Sequence, residues 1–146
     1  TLLDQEIARS RRRGHQFVVA SLELDHLGEI RDRQGVSAGD ELLKRCARLL
    51  QLELREEDIK ARLGDGEFAV MLPETPIDEA LPLLDRLRLR VGGSEFNVGG
   101  VVVTTTLSAG ATLWTKDVAS RDQLLKSLDG ALYKARHGGR NRVASM

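Results

Sequence analysis

A chain of 146 residues with 41% hydrophobic content can bury one core, and its size fits a single domain over 1–146. Its 22 basic and 22 acidic residues cancel to zero formal charge, which excludes a general field for nucleic acid or an anionic membrane and leaves any anion site local. No apolar stretch approaches the ~20 residues of a spanning helix, and no signal peptide is visible. The single cysteine, Cys46, forms no internal disulfide and is expected to be a core residue, so a reducing, cytoplasmic setting is expected. The first residue is Thr1 rather than methionine. We therefore expect a domain excised from a longer signalling protein, whose full length carries sensor, effector or anchoring parts.

Leu2, Leu3 and Ile7 recur at helical spacing and lead into Arg11-Arg12-Arg13, a solvated helix end that Gly14 stops. Phe17–Leu24 is a nearly continuous apolar run and reads as a buried strand. A short helix follows over Leu27–Arg33, broken at Gly35. Ser37-Ala38-Gly39-Asp40 reads as a helix cap with Asp40 near the positive end, and Leu42, Leu43, Cys46, Ala47, Leu49 and Leu50 trace the buried face. Ile59–Leu63 and Glu67–Leu72 read as strands around the hairpin turn Gly64-Asp65-Gly66.

Thr75-Pro76-Ile77-Asp78-Glu79 predicts a helix start with Thr75 as cap and Pro76 first, and Pro82 is early enough to distort the opening turns. Residues 95–98 and 101–113 read as strands flanking Gly99-Gly100. Ser120-Arg121-Asp122-Gln123 is a capping box for a last helix, ended by Gly138-Gly139. Tyr133 and Trp114 are expected to be packing residues, and His15 and His137 exposed. The order α-β-α-α-β-β-α-β-β-α predicts an α+β fold: a mixed, largely antiparallel sheet of about five strands flanked by helices.

Four segments resemble a GGDEF domain, the diguanylate cyclase family, and together they cover residues 17 to 143. They are Leu22-Glu23-Leu24-Asp25-His26-Leu27; Ile30-Arg31-Asp32 with Gly35 and Gly39-Asp40; the turn Gly64-Asp65-Gly66-Glu67-Phe68 with Pro73; and Asp129–Arg136 followed by Gly139-Arg140-Asn141-Arg142-Val143. Thr106–Gly110 is similar to the family's penultimate strand. The resemblance implies a palm-like nucleotidyl cyclase fold, cyclic di-GMP and GTP as ligands, magnesium, no organic cofactor, and a homodimer with one GTP per active site.

Phosphoryl transfer of this kind rests on positioning and on charge neutralisation by divalent metal. By the resemblance, Glu23 and the Leu24 carbonyl would be metal ligands, and the third turn residue would be a carboxylate. That residue is Gly66. Losing such a preorganised contact costs about 2.7–4 kcal/mol, or roughly 100- to 1000-fold in rate. Asp65 is one residue away, where adjacent side chains diverge. Asp25 is expected to brace the following helix. His26, Glu23 and Asp25 lie too close in sequence to converge readily on one transition-metal ion.

The resemblance also assigns Asp40, Gly64, Arg136 and Arg140 to GTP, with Arg31 replacing a nucleotide-contacting asparagine and Asp65 replacing a glycine near the triphosphate. The turn Gly64–Phe68 therefore reads as vestigial, and magnesium binding as weakened. Arg55 and Asp58 precede Gly64 by nine and six residues, the spacing of the family's product site, with Arg86 as its secondary arginine. Guanine offers O6 and N7 to a guanidinium and N1–H and N2–H to a carboxylate. An i,i+3 surface ion pair is the plainer reading of Arg55 and Asp58 taken alone.

Three functions follow. The first is a degenerate GGDEF domain that binds cyclic di-GMP as a regulatory receptor. The second is a working cyclase with product inhibition at Arg55 and Asp58, and the third a non-catalytic dimerisation or interaction module.

Overall fold

The structure, a computed structural model, describes residues 1–118 and 120–146. Helix α1 (Leu2–Arg13) ends at Gly14, whose φ of 70° is the left-handed cap that glycine adopts without a Cβ penalty. Strand β1 (Phe17–Leu24) follows, then α2 (Leu27–Gln34) and α3 (Val36–Glu53). The hairpin β2 (Ile59–Gly64) and β3 (Glu67–Pro73) precedes α4 (Ile77–Gly92). The chain closes with β4 (Phe96–Val98), β5 (Val101–Val103), β6 (Leu107–Trp114), α5 (Arg121–His137) and β7 (Val143–Ser145).

The main sheet has five strands in the order β2-β3-β1-β6-β7, and β4 pairs with β5 in a separate ribbon. β1 is antiparallel to both β3 and β6, while β6 and β7 run parallel. This is the expected α+β architecture.

Side-chain alternation along β1 divides the interior into two cores. Val18, Ala20, Leu22 and Leu24 join Leu42, Cys46 and Leu50 of α3 and Leu84, Leu87 and Val91 of α4 on one face. Phe17 and Val19 join Ile7 of α1, Trp114, and Leu124 and Leu128 of α5 on the other. Each such leucine, fully buried, contributes about 1.5–3 kcal/mol. Cys46 is fully buried, and burial pushes its thiol up to about 12. Gly110 lets α5 approach the sheet, since a Cβ there would lie 2.2 Å from the Leu132 nitrogen.

Several boundaries differ from the sequence reading. The strand expected over 101–113 is two strands, interrupted at Thr104-Thr105-Thr106. The segment turns to Asp25 instead: Thr105 Oγ1 donates to its carbonyl at 3.0 Å and Thr106 Oγ1 to its carboxylate at 2.6 Å. Helix α3 begins at Val36 with Gly35 (φ 96°) as its cap, so Ser37–Asp40 lies inside it and Asp40 is its fifth residue.

Pro76 itself caps α4, because the Thr75 hydroxyl donates to the Pro73 carbonyl at 2.9 Å instead. Pro82 sits inside α4, which continues through it. Strand β7 was not anticipated. Tyr133 is exposed and stacks on His137 rather than packing inside, and His15 is half-buried.

Candidate functional site

The end of β1 is fixed by Asp25. Its buried carboxylate accepts from Thr106 Oγ1 and Ser108 Oγ, both at 2.6 Å, and from the Asn141 N–H at 3.1 Å. Its own N–H donates to the Thr106 carbonyl at 2.9 Å. The next residue, His26, takes a left-handed φ of 60° and turns the chain into α2. The Leu24 N–H donates to the Gly66 carbonyl at 2.9 Å, which ties the β2–β3 hairpin tip to the same corner.

Glu23, Leu24, Leu27, Arg31, Asp65 and Arg140 thus line one cleft of about 360 Å³. The turn itself is the two-residue Asp65-Gly66 between the paired Gly64 and Glu67. Gly66 has φ 75°, and a Cβ added there would lie 2.8 Å from Leu27 Cδ2. Glu67 is the cross-strand partner of Glu23, but its carboxylate accepts from Ser21 Oγ at 3.0 Å.

Three acids at this corner, Glu23, Asp40 and Asp65, are paired with arginines of the chain. Arg136 of α5 donates to Glu23 Oε2 from Nε at 2.7 Å and from Nη2. Arg31 of α2 donates from Nη2 to Asp40 Oδ1 and to Asp65 Oδ1, each at 2.8 Å, and from Nη1 to Asp65 Oδ2. Hydrogen bonds from Arg31 hold the Asp65 carboxyl below its ordinary range. Donating to Asp65 and then to Asp40 raises the Arg31 guanidinium further.

Magnesium takes hard oxygen donors, with one or two carboxylates beside phosphates and water. Here Glu23 is engaged by Arg136 and Gly66 supplies no donor. Among the described residues no group of three or more His, Cys, Asp or Glu side chains is arranged to hold a metal.

A second cleft, of about 420 Å³, is lined by Gln51, Leu54, Arg55, Glu56, Asp58 and Lys60. Asp58 accepts from Arg55 three times: from its backbone N–H at 2.9 Å, from Nε at 3.3 Å and from Nη2 at 3.1 Å. The Asp58 side chain is 0% exposed behind an Arg55 side chain that is 44% exposed. Arg55 Nη2 also donates to Thr75 Oγ1 at 2.5 Å. Asp58 raises the Arg55 guanidinium chiefly by hydrogen bonding. Lys60 donates to the Ala47 carbonyl at 3.0 Å, and burial lowers its ammonium.

Most of the sequence-predicted residues therefore fall in two places, and Arg86 in neither. Glu23, Leu24, Asp65 and Arg140 share the first cleft, and Arg136 and Asp40 reach it through their ion pairs. Arg55 and Asp58 share the second. Arg86 is paired with Glu53 of α3 at 3.6 Å, a carboxylate that also takes Arg90 at 2.8 Å. The sequence reading missed Thr75 as a partner of Arg55, having spent its hydroxyl on a helix cap. It also missed Arg31 as the link between Asp40 and Asp65.

Residues 1–142 match the family model described as diguanylate cyclase, GGDEF domain. The chain is 38% identical over 141 residues to diguanylate cyclase DgcP of Pseudomonas aeruginosa, covering 97% of this chain and 21% of that protein. It is 32% identical over 143 residues to response regulator PleD of Caulobacter vibrioides, covering 97% of this chain and 32% of that one. The chain thus spans a third or less of the length of these relatives.

Among solved structures, diguanylate cyclase SiaD of Pseudomonas aeruginosa, in complex with its activator SiaC, superposes with a TM-score of 0.92 at 33% identity, covering 99% of this chain and 55% of that one. The coiled coil and GGDEF domain of DgcB from Caulobacter crescentus, in complex with c-di-GMP, gives 0.92 at 25% identity, over 99% and 76% of the two chains. The fold, the family model and these relatives agree: the chain belongs to the GGDEF domain family.

Proposed function

We propose that this domain is a cyclic di-GMP-binding regulatory module with weak or no cyclisation of GTP. The observation that carries the reading is the arrangement of Arg55, a half-exposed guanidinium braced by a wholly buried Asp58 at the mouth of its own cleft. A guanidinium so held is preorganised to donate to guanine O6 and N7 and to face a phosphate. With its carboxylate behind Arg55, Asp58 serves by orienting that group. Arg86, on α4, contributes charge once released from Glu53.

At the turn, the missing acid at Gly66 and the pairing of Glu23 with Arg136 leave magnesium weakly supported. GTP binding through Asp40, Gly64, Arg136 and Arg140 is correspondingly weak.

Calorimetric titration with cyclic di-GMP tests the reading. The unmodified domain is expected to bind, and Arg55→Ala to lose about 10-fold or more in affinity, as befits removal of a charged anchor. Equal affinity of the two proteins would remove Arg55 from the site and the proposal with it. A second reading, a working cyclase restrained by its product at Arg55 and Asp58, draws on the 38% identity to DgcP. Cyclic di-GMP formed from GTP and magnesium by a homodimer of the domain would favour it. An interaction module serving neighbouring domains would instead behave alike with and without Arg55→Ala.

A further inference from the structure

Arg31, Asp40 and Asp65 come from three different elements, α2, α3 and the hairpin tip, and meet in one ion-pair cluster. The arginine is the covered member: its side chain is 19% exposed, against 53% for Asp40 and 59% for Asp65. It reaches this position by crossing the α3 backbone at Gly39, where an added Cβ would lie 2.3 Å from Arg31 Cγ. Its Nε is buried without a hydrogen-bond partner among the described residues. The cluster therefore leaves one donor unsatisfied, which costs free energy that displacement of the side chain would recover.

The edge of guanine that carries N1–H and N2–H is itself a guanidine, a carbon bearing nitrogen donors in a planar fork. The donor that Arg31 Nη2 presents to Asp40 Oδ1 is of the same kind. A carboxylate that accepts from one is not free for the other. Resting on the proposed function, which assigns Asp40 to GTP, and taking its exposed carboxylate as the acceptor for the guanine edge, we infer that Arg31 is an internal competitor for the base subsite. Its guanidinium holds the place of a guanine edge, and Asp65 clasps it there. GTP gains Asp40 only by displacing it, so the apparent affinity falls by the fraction of molecules in which the clasp is open.

Simple electrostatics gives the opposite sign, because deleting a cation beside a triphosphate should weaken binding. The clasp instead predicts that Arg31→Ala and Arg31→Gln each bind GTP about 10-fold or more tightly than the unmodified domain. ATP has no N1–H or N2–H donors to offer Asp40, so its affinity should not rise. Adding Asp40→Asn to Arg31→Ala should abolish the gain.

Calorimetry with GTP and with ATP reads all of these, and thermal unfolding of each variant identifies which of the two substitutions at Arg31 is folded. GTP affinity unchanged or lowered in the folded variant overturns the inference, as does an equal gain for ATP. Cyclic di-GMP titrated into the same samples reports separately on Arg55. A domain that ignores the cyclic dinucleotide yet gains GTP on loss of Arg31 defeats the receptor reading and leaves the clasp standing.

Discussion

Asp25 accepts hydrogen bonds from two hydroxyls and a backbone amide in a setting that is 3% exposed. Asp25→Ala would leave those donors buried and unpaired, and should lower unfolding free energy by about 2–4 kcal/mol in denaturant titrations. Gly66 is a different case: under the proposed function, an acid placed there is not expected to complete a magnesium site. Gly66→Asp forces a φ of 75° on a residue with a Cβ and presses on Leu27, at about 1–2 kcal/mol of stability. Glu23 would still be paired with Arg136, so GTP turnover should stay at the background of the unmodified domain.

Asp65 carries a pH dependence of definite sign. Hydrogen bonds from Arg31 hold its folded carboxyl below the ordinary carboxyl value of 3.8. The Arg31–Asp65 pair therefore stabilises the fold above that value, and the contribution disappears as pH falls through the lower, folded value. Unfolding measured from pH 6 down to pH 2 should show this loss in the unmodified domain and a shallower slope in Asp65→Asn.

At the scale of elements, α5 packs directly over Gly110. Gly110→Ala would place its Cβ against helix backbone at Leu132 and Ala131, which cannot rotate aside as a side chain can. A loss of about 3 kcal/mol is expected from thermal or chemical unfolding.

The elements legible in the sequence were those with strong local chemistry. These include the apolar run of β1, the Asp-Gly hairpin, Ser120 accepting from the Gln123 N–H at the start of α5, and Gly14 after α1. Those that escaped depend on distant partners. Val101–Thr106 has continuous β propensity, but its threonines are drawn to Asp25, some 80 residues earlier in the chain. Val143–Ser145 is too short to read as a strand and exists because β6 lies beside it. The start of α3 was misplaced because Ser37 and Asp40 look like caps, while Gly35 alone makes the break between two helices.

Across the whole molecule, zero net charge resolves into local pairs that set the character of each cleft. The residue types at the corner between β1 and the hairpin tip were readable from the resemblance, but their pairings were not. Glu23 and Arg136 are 113 positions apart, and Arg31 and Asp65 are 34 apart, so only the folded sheet and helices reveal that Glu23 has Arg136 to itself while Asp40 and Asp65 share Arg31. The Arg55–Asp58 pair was legible because both members lie within one turn of chain.

The same contrast gives the molecule its proposed division of labour, with a turn that has glycine rather than an acid at Gly66 and a separate cleft with a braced, half-exposed arginine. The most direct measurement is chromatographic analysis of nucleotides after the purified domain is incubated with GTP and magnesium. No cyclic di-GMP above a protein-free control is the predicted result; sustained, protein-dependent accumulation of cyclic di-GMP would contradict it.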